Sequence, residues 1–111
     1  MQEGELVERW RATVESVAGA AREAGRDPAE IQLIAVSKLH SPEAVQTLAR
    51  AGHRDFGENY IQEALDKQAT LNDPEIRWHF IGRLQSNKVK HIPGSFHLVH
   101  SIDRFKLAQA L

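Results

Sequence analysis

Hydrophobic positions along the chain fall into two alternating periods. Val7, Trp10, Val14, Val17 and Ala21 recur at spacings of three and four, which predicts an opening helix with one apolar stripe. Gly25 is positioned to stop it, and Asp27-Pro28 opens a turn. Ile31 to Val36 then reads as a strand, and its nearly continuous apolar character suits a strand covered on both faces. Ser41-Pro42 supplies an N-cap hydroxyl and a first-turn proline for a second helix, with Val45, Leu48 and Ala49 on its buried face and Gly52 at its end. The alternation continues with a weaker strand over Arg54–Glu58. A helix follows, capped by Asn59 with Gln62 reaching back and lined by Ile61, Ala64, Leu65 and Leu71. After a turn at Asn72-Asp73-Pro74, Ile76–Ile81 is a third strand and Leu84–Ile92 a helix stopped by Pro93-Gly94. Phe96–His100 is a fourth strand, and Asp103 caps a last helix bearing Leu107, Ala108 and Leu111.

One leading helix followed by four strand–helix units, at a period of roughly 20–25 residues, is the pattern of a parallel α/β sheet or barrel. Residues 1–111 read as one domain without linker or low-complexity segment. The final helical pattern is still running at Leu111, with no glycine or proline to end it, which predicts a chain interrupted inside a domain. Four strands also leave two sheet edges and an inward face without its opposing layer. The isolated chain is therefore expected to pair with a second copy or to be poorly stable, and an intact parent to be monomeric.

Composition narrows the possible functions. A net charge of −1 gives no global field favouring nucleic acid or an anionic membrane. No apolar run approaches the roughly 18 residues of a membrane span. The absence of cysteine excludes disulfides and Cys-based metal sites, and it fits a reducing cytoplasm.

In parallel α/β folds, ligands gather at the carboxyl ends of the strands. Those ends carry Ser37-Lys38, Gly57-Glu58-Asn59, His79 with Gly82 and Arg83, and His100-Ser101 with Asp103. Lys38 shares a strand face with Ile34 and Val36. Over an apolar wall, desolvation favours the neutral, nucleophilic amine that a Schiff base needs, although a strand-end lysine is also an ordinary solvated group. Asn59 suits a helix cap as well as a ligand contact, and Gly57 allows close approach of a ligand or of backbone. His79 shares a face with Arg77 and Ile81 and reads equally as a histidine satisfied within the protein. Ser101 can bond a ligand or start a turn. His53-Arg54-Asp55-Phe56-Gly57 joins two kinase-like triplets through a single aspartate, and no glycine-rich loop accompanies them, so the match is chance. His97 and His100 are expected on opposite strand faces, a poor geometry for one metal.

Four blocks then resemble one family. Leu33-Ile34-Ala35-Val36-Ser37-Lys38 resembles the strand that carries the cofactor lysine in the YggS/PROSC family, the pyridoxal phosphate homeostasis proteins. Phe56 to Ala64 is similar to its FGENYVQEA block, Trp78 to Lys88 to its WHFIG-x-LQSNK block, and His100-Ser101-Ile102-Asp103 to its HS-[VI]-D segment. After the lysine the family often reads TKP, where this chain has Leu39-His40-Ser41-Pro42.

The resemblance implies the first half of a TIM-type, fold-type III barrel related to the N-terminal domain of alanine racemase. It implies pyridoxal 5′-phosphate as cofactor, held as an aldimine on Lys38, with Asn59 close by and His79 and Ser101 as further cofactor contacts. The phosphate-binding groups of the family would lie beyond Leu111. The implied role is intracellular homeostasis of the cofactor, including its transfer to apo-enzymes, with no assigned reaction. The alternative is a small racemase-like enzyme, which needs an acid–base partner across the cofactor. Tyr60, the single tyrosine, lies just inside a helix and is poorly placed for that.

Overall fold

The computed structural model describes residues 3–37, 40–82, 92 and 94–100. Among these residues, three α-helices accompany a four-stranded parallel sheet of order β1-β2-β3-β4. The elements are α1 (Glu3–Glu23), β1 (Ala35–Val36), α2 (Pro42–Ala51), β2 (Asp55–Glu58), α3 (Ile61–Leu71), β3 (Arg77–Phe80) and β4 (Leu98–Val99), with a 3₁₀ turn at Pro28–Glu30. The helices predicted over Leu84–Ile92 and from Asp103 lie outside the described residues, apart from Ile92, which is buried. No helix among the described residues is long and apolar enough to cross a membrane.

The helix signals act as the sequence predicts for α2. The Ser41 hydroxyl accepts from the Ala44 N–H at 3.3 Å, Pro42 stands in the first turn, and Gly52 closes the helix at φ 114°. The start of α3 differs from expectation. Its N-cap is Tyr60, with no side-chain capping bond, and Gln62 bonds Asp66 at 3.0 Å instead of reaching back. Asn59 is therefore not the cap, because the chain makes one further extended residue before it coils.

β1 is shorter than the predicted Ile31–Val36. The register pairs Ala35 with Phe56 and Val36 with Gly57. Continuing it backwards would set Ile31 beside Gly52, which is still the left-handed cap of α2 and offers no ladder partner.

Parallel pairing keeps residues in register on one face. Phe56, Trp78 and Phe80 face the helices, where two adjoining clusters hold Val45, Ala49 and Ile76 on one side and Ile61 and Ile92 on the other. Asp55, Gly57, Arg77 and His79 occupy the opposite face, with Val36 and Leu98 in register beside them. Val36 is 51% exposed and Leu98 46%, so the described residues leave this second face without an apolar cover. α1 packs on α2 and on the 3₁₀ turn, and its stripe is only partly covered: Ala21 is buried while Val14 is exposed.

Candidate functional site

Because all four strands run parallel, their carboxyl ends share one edge of the sheet. Asn59 directly follows β2 at that edge, and His79 lies within β3 on the open face. Lys38 and Ser101, the other two residues expected at the site, lie outside the described residues.

The open face is more polar than the sequence suggests. Asp55 accepts four hydrogen bonds: from Gln32 Nε2 at 3.0 Å, from Arg77 Nε and Nη2 at 2.8 Å each, and from His79 Nε2 at 2.9 Å. Burial works to raise the Asp55 pKa, but the Arg77 and His79 hydrogen bonds outweigh it and hold the carboxyl at about 2. The carboxylate is then an acceptor only, so His79 must donate its Nε2–H to it. In the neutral ring Nδ1 is left as an acceptor, 3.0 Å from His100 Nε2, which donates. Asp55, His79 and His100 thus form a hydrogen-bonded line from the start of β2 to the end of β4. His79 is fully buried, and both its nitrogens are engaged within the protein. His97 also packs edge-on against the His79 ring, at a centroid distance of 5.4 Å, while His100 lies at 5.2 Å. The two histidines therefore approach the same ring, contrary to the expectation of opposite faces. His97 precedes β4 and is not bound by strict strand alternation. Among the described residues, no group of three or more His, Asp or Glu side chains is arranged to hold a metal ion.

Two glycines shape the carboxyl edge. A Cβ on Gly82 would fall 2.1 Å from the Asn59 carbonyl oxygen and 2.7 Å from its Cα, so the turn after β3 lies directly against the backbone of Asn59. At Gly57 a Cβ would meet Ile81 Cδ1 at 2.9 Å and Ile34 Cγ2 at 3.0 Å. The space that Gly57 leaves is taken by these isoleucines rather than by backbone. Against this packed edge the Asn59 Oδ1 atom is buried and has no hydrogen-bond partner among the described residues. A buried polar oxygen without a donor is costly. A polar ligand at the strand ends would satisfy it.

On the helix face, directly behind the edge, lies a buried ionic cluster that the sequence reading missed. Lys67 of α3 is 3% exposed and Glu58 of β2 is 0% exposed. Lys67 Nζ donates to Glu58 Oε1 at 2.7 Å, to Glu63 Oε1 at 2.9 Å and to the carbonyl oxygen of Ser37. The Ser37 hydroxyl donates to the same Glu58 Oε1 at 2.8 Å. The available signal was the position of Lys67 three residues after Ala64, on the flank of the apolar stripe, with Glu63 one turn before it. Tyr60, the residue weighed for acid–base work, is exposed at the start of α3.

Comparison with known proteins adds to this edge geometry. Over 92 residues the chain is 58% identical to the pyridoxal phosphate homeostasis protein of Pseudomonas aeruginosa, a match covering 83% of this chain and 40% of that protein. The chain is a homologue of the pyridoxal phosphate homeostasis proteins. It is also 40% identical over 104 residues to the homologue from Aquifex aeolicus, covering 94% of this chain and 46% of that one. Among solved structures, PipY of Synechococcus elongatus with PLP (pyridoxal 5′-phosphate) bound superposes with a TM-score of 0.79 at 40% identity, over 96% of this chain and 46% of PipY. No family model matches the sequence. The chain spans under half the length of these homologues.

Proposed function

We propose that this chain carries the lysine-bearing half of a pyridoxal 5′-phosphate site and serves the intracellular homeostasis of that cofactor. In this reading residues 1–111 are the first half of a fold-type III barrel, and the open face with Asp55, Gly57 and His79 is the barrel interior. Lys38 would hold the cofactor, Asn59 would meet it with its unpartnered amide oxygen, and Ser101 would complete the edge. His79 would support the site from the layer below. The cofactor's aldehyde reacts reversibly with a primary amine, which suits storage and transfer to apo-enzymes in the cytoplasm. The observation that carries the reading is the buried, unsatisfied Asn59 oxygen at the shared strand edge. PipY, solved with PLP bound, supports the cofactor class.

The test is covalent. Treating the chain with pyridoxal 5′-phosphate and borohydride should place the reduced adduct on Lys38, and Lys38→Ala should abolish it while Lys88→Ala does not. Adducts spread evenly over the lysines would refute the assignment. The family's role in binding makes this a carrier reading, and an α-proton exchange assay on amino acids would detect a racemase-like reaction.

A further inference from the structure

The ionic cluster behind the strand edge acts on the residue that precedes Lys38. Every polar group of Ser37 is held. Its N–H donates to the Gly57 carbonyl at 2.9 Å, its hydroxyl donates to Glu58 Oε1 at 2.8 Å, and its carbonyl accepts from Lys67 Nζ. The carbonyl matters most. A peptide group is planar, so the Ser37 carbonyl oxygen and the Cα of the next residue lie in one rigid unit. Fixing that oxygen fixes the plane from which Lys38 departs.

We propose that Lys67, held by Glu58 and Glu63, is a positioning residue for Lys38: it sets the Ser37–Lys38 peptide and so aims the amine that takes the cofactor. The proposal rests on the reading of Lys38 given above. The geometry supports more than a structural tie between α3 and the sheet. An ammonium has three protons, and Lys67 directs one to each of three oxygens, of which two are carboxylates and the third is this single backbone carbonyl. A tie alone would need only the carboxylates. The contact also crosses from α3 over β2 to Ser37, just past the end of β1, linking the first strand to the second strand–helix unit. It lies on the helix side of the sheet, away from the open face, so Lys67 does not compete for the cofactor.

The experiment measures, in one sample, the ratio of borohydride-trapped pyridoxal 5′-phosphate on Lys38 to that on Lys88. It compares the unsubstituted chain, Lys67→Met, and the charge-neutral pair Glu58→Gln with Lys67→Met, which leaves no lone buried charge. Circular dichroism sets a temperature at which each is folded. A positioning role predicts that the ratio falls in both variants by roughly tenfold to a hundredfold, the scale on which an ångström of misplacement acts. It also predicts faster amide exchange at Ser37 without a matching change in α2. A folded double variant that keeps the unsubstituted ratio overturns the proposal. A merely structural role would lower the melting temperature and leave the ratio unmoved. An unsubstituted chain that shows no preference for Lys38 overturns the proposed function itself, an outcome visible before any variant is made.

Discussion

Asp55 and Glu58 stand three residues apart on β2 and project to opposite faces of the sheet, each buried and each held by a cation. Their neighbour His53 is also buried. It accepts from Trp10 Nε1 through Nδ1 at 3.0 Å and donates through Nε2 to the Asp55 carbonyl. Burial is the main cause that lowers the His53 pKa below 6.5, and the Asp55 carbonyl offsets only part of that. Protonation at Nδ1 would cost the Trp10 bond. The folded state therefore binds fewer protons than the unfolded state, and stability should be complete above pH 6.5 and decline as pH falls below it. Asp55 has the same sign in a lower window. Its contribution is present above 3.8, the unfolded value, and is lost as pH falls towards about 2. Urea midpoints from pH 8 downwards should show two falling steps. His53→Gln should flatten the upper step and Asp55→Asn the lower; a midpoint independent of pH between 7 and 5 would contradict the His53 assignment. In the sequence, Asp55 stood only as a coincidence of kinase-like triplets. Its role needed Gln32, Arg77 and His79, which come from two other segments of the chain.

At the scale of elements, the strand edge depends on how closely the ends of β2 and β3 meet. Gly82→Ala drives a Cβ into the backbone of Asn59, which cannot rotate away as a side chain can. The expected loss is about 3 kcal/mol, the upper end for overpacking, with a fall in Lys38 labelling because Asn59 must shift. Gly57→Ala meets side-chain methyls of Ile34 and Ile81 rather than backbone, so the loss should be smaller, about 1 kcal/mol. Chemical denaturation of the two variants side by side would show the difference; equal losses would mean that the Gly82 turn moves freely. The sequence made α2 legible from Ser41 to Gly52 because cap, proline and glycine are local signals. It placed the start of α3 one residue early. Asn59 has the right side chain for a cap, but Tyr60 is still extended, at φ −126° and ψ 125°, so the helix begins one residue later.

For the whole molecule, one face of the sheet is covered by helices and the other, among the described residues, is not. Val36 and Leu98 expose apolar surface there, beside the Asp55–His79 line. Burial of such surface is favourable at about 25 cal/mol per Å², so the 111-residue chain in isolation should associate with itself. Light scattering should give a mass that rises with concentration, and Val36→Lys with Leu98→Lys should reduce it. A monomer at every concentration would argue that the open face is not adhesive. The same reasoning predicts loose cofactor binding by the isolated chain, tightened when the remaining half of a longer homologue is supplied in trans and measured by absorbance titration.

Among the described residues, the sequence by itself determined the order of three helices and four strands and the parallel sheet they build. Those features follow from periodicity, caps and glycines, all of which act over a few residues. Tertiary structure alone decided which charged groups are buried and what they hold. Lys67 on a helix flank is an ordinary surface lysine until β1 and β2 bring the Ser37 carbonyl and the Glu58 carboxylate to it. Asn59 is an ordinary cap candidate until the fold buries its amide oxygen, which has no donor among the described residues. Such partners are far apart in the chain, and no local pattern encodes a contact that forms only when three segments converge.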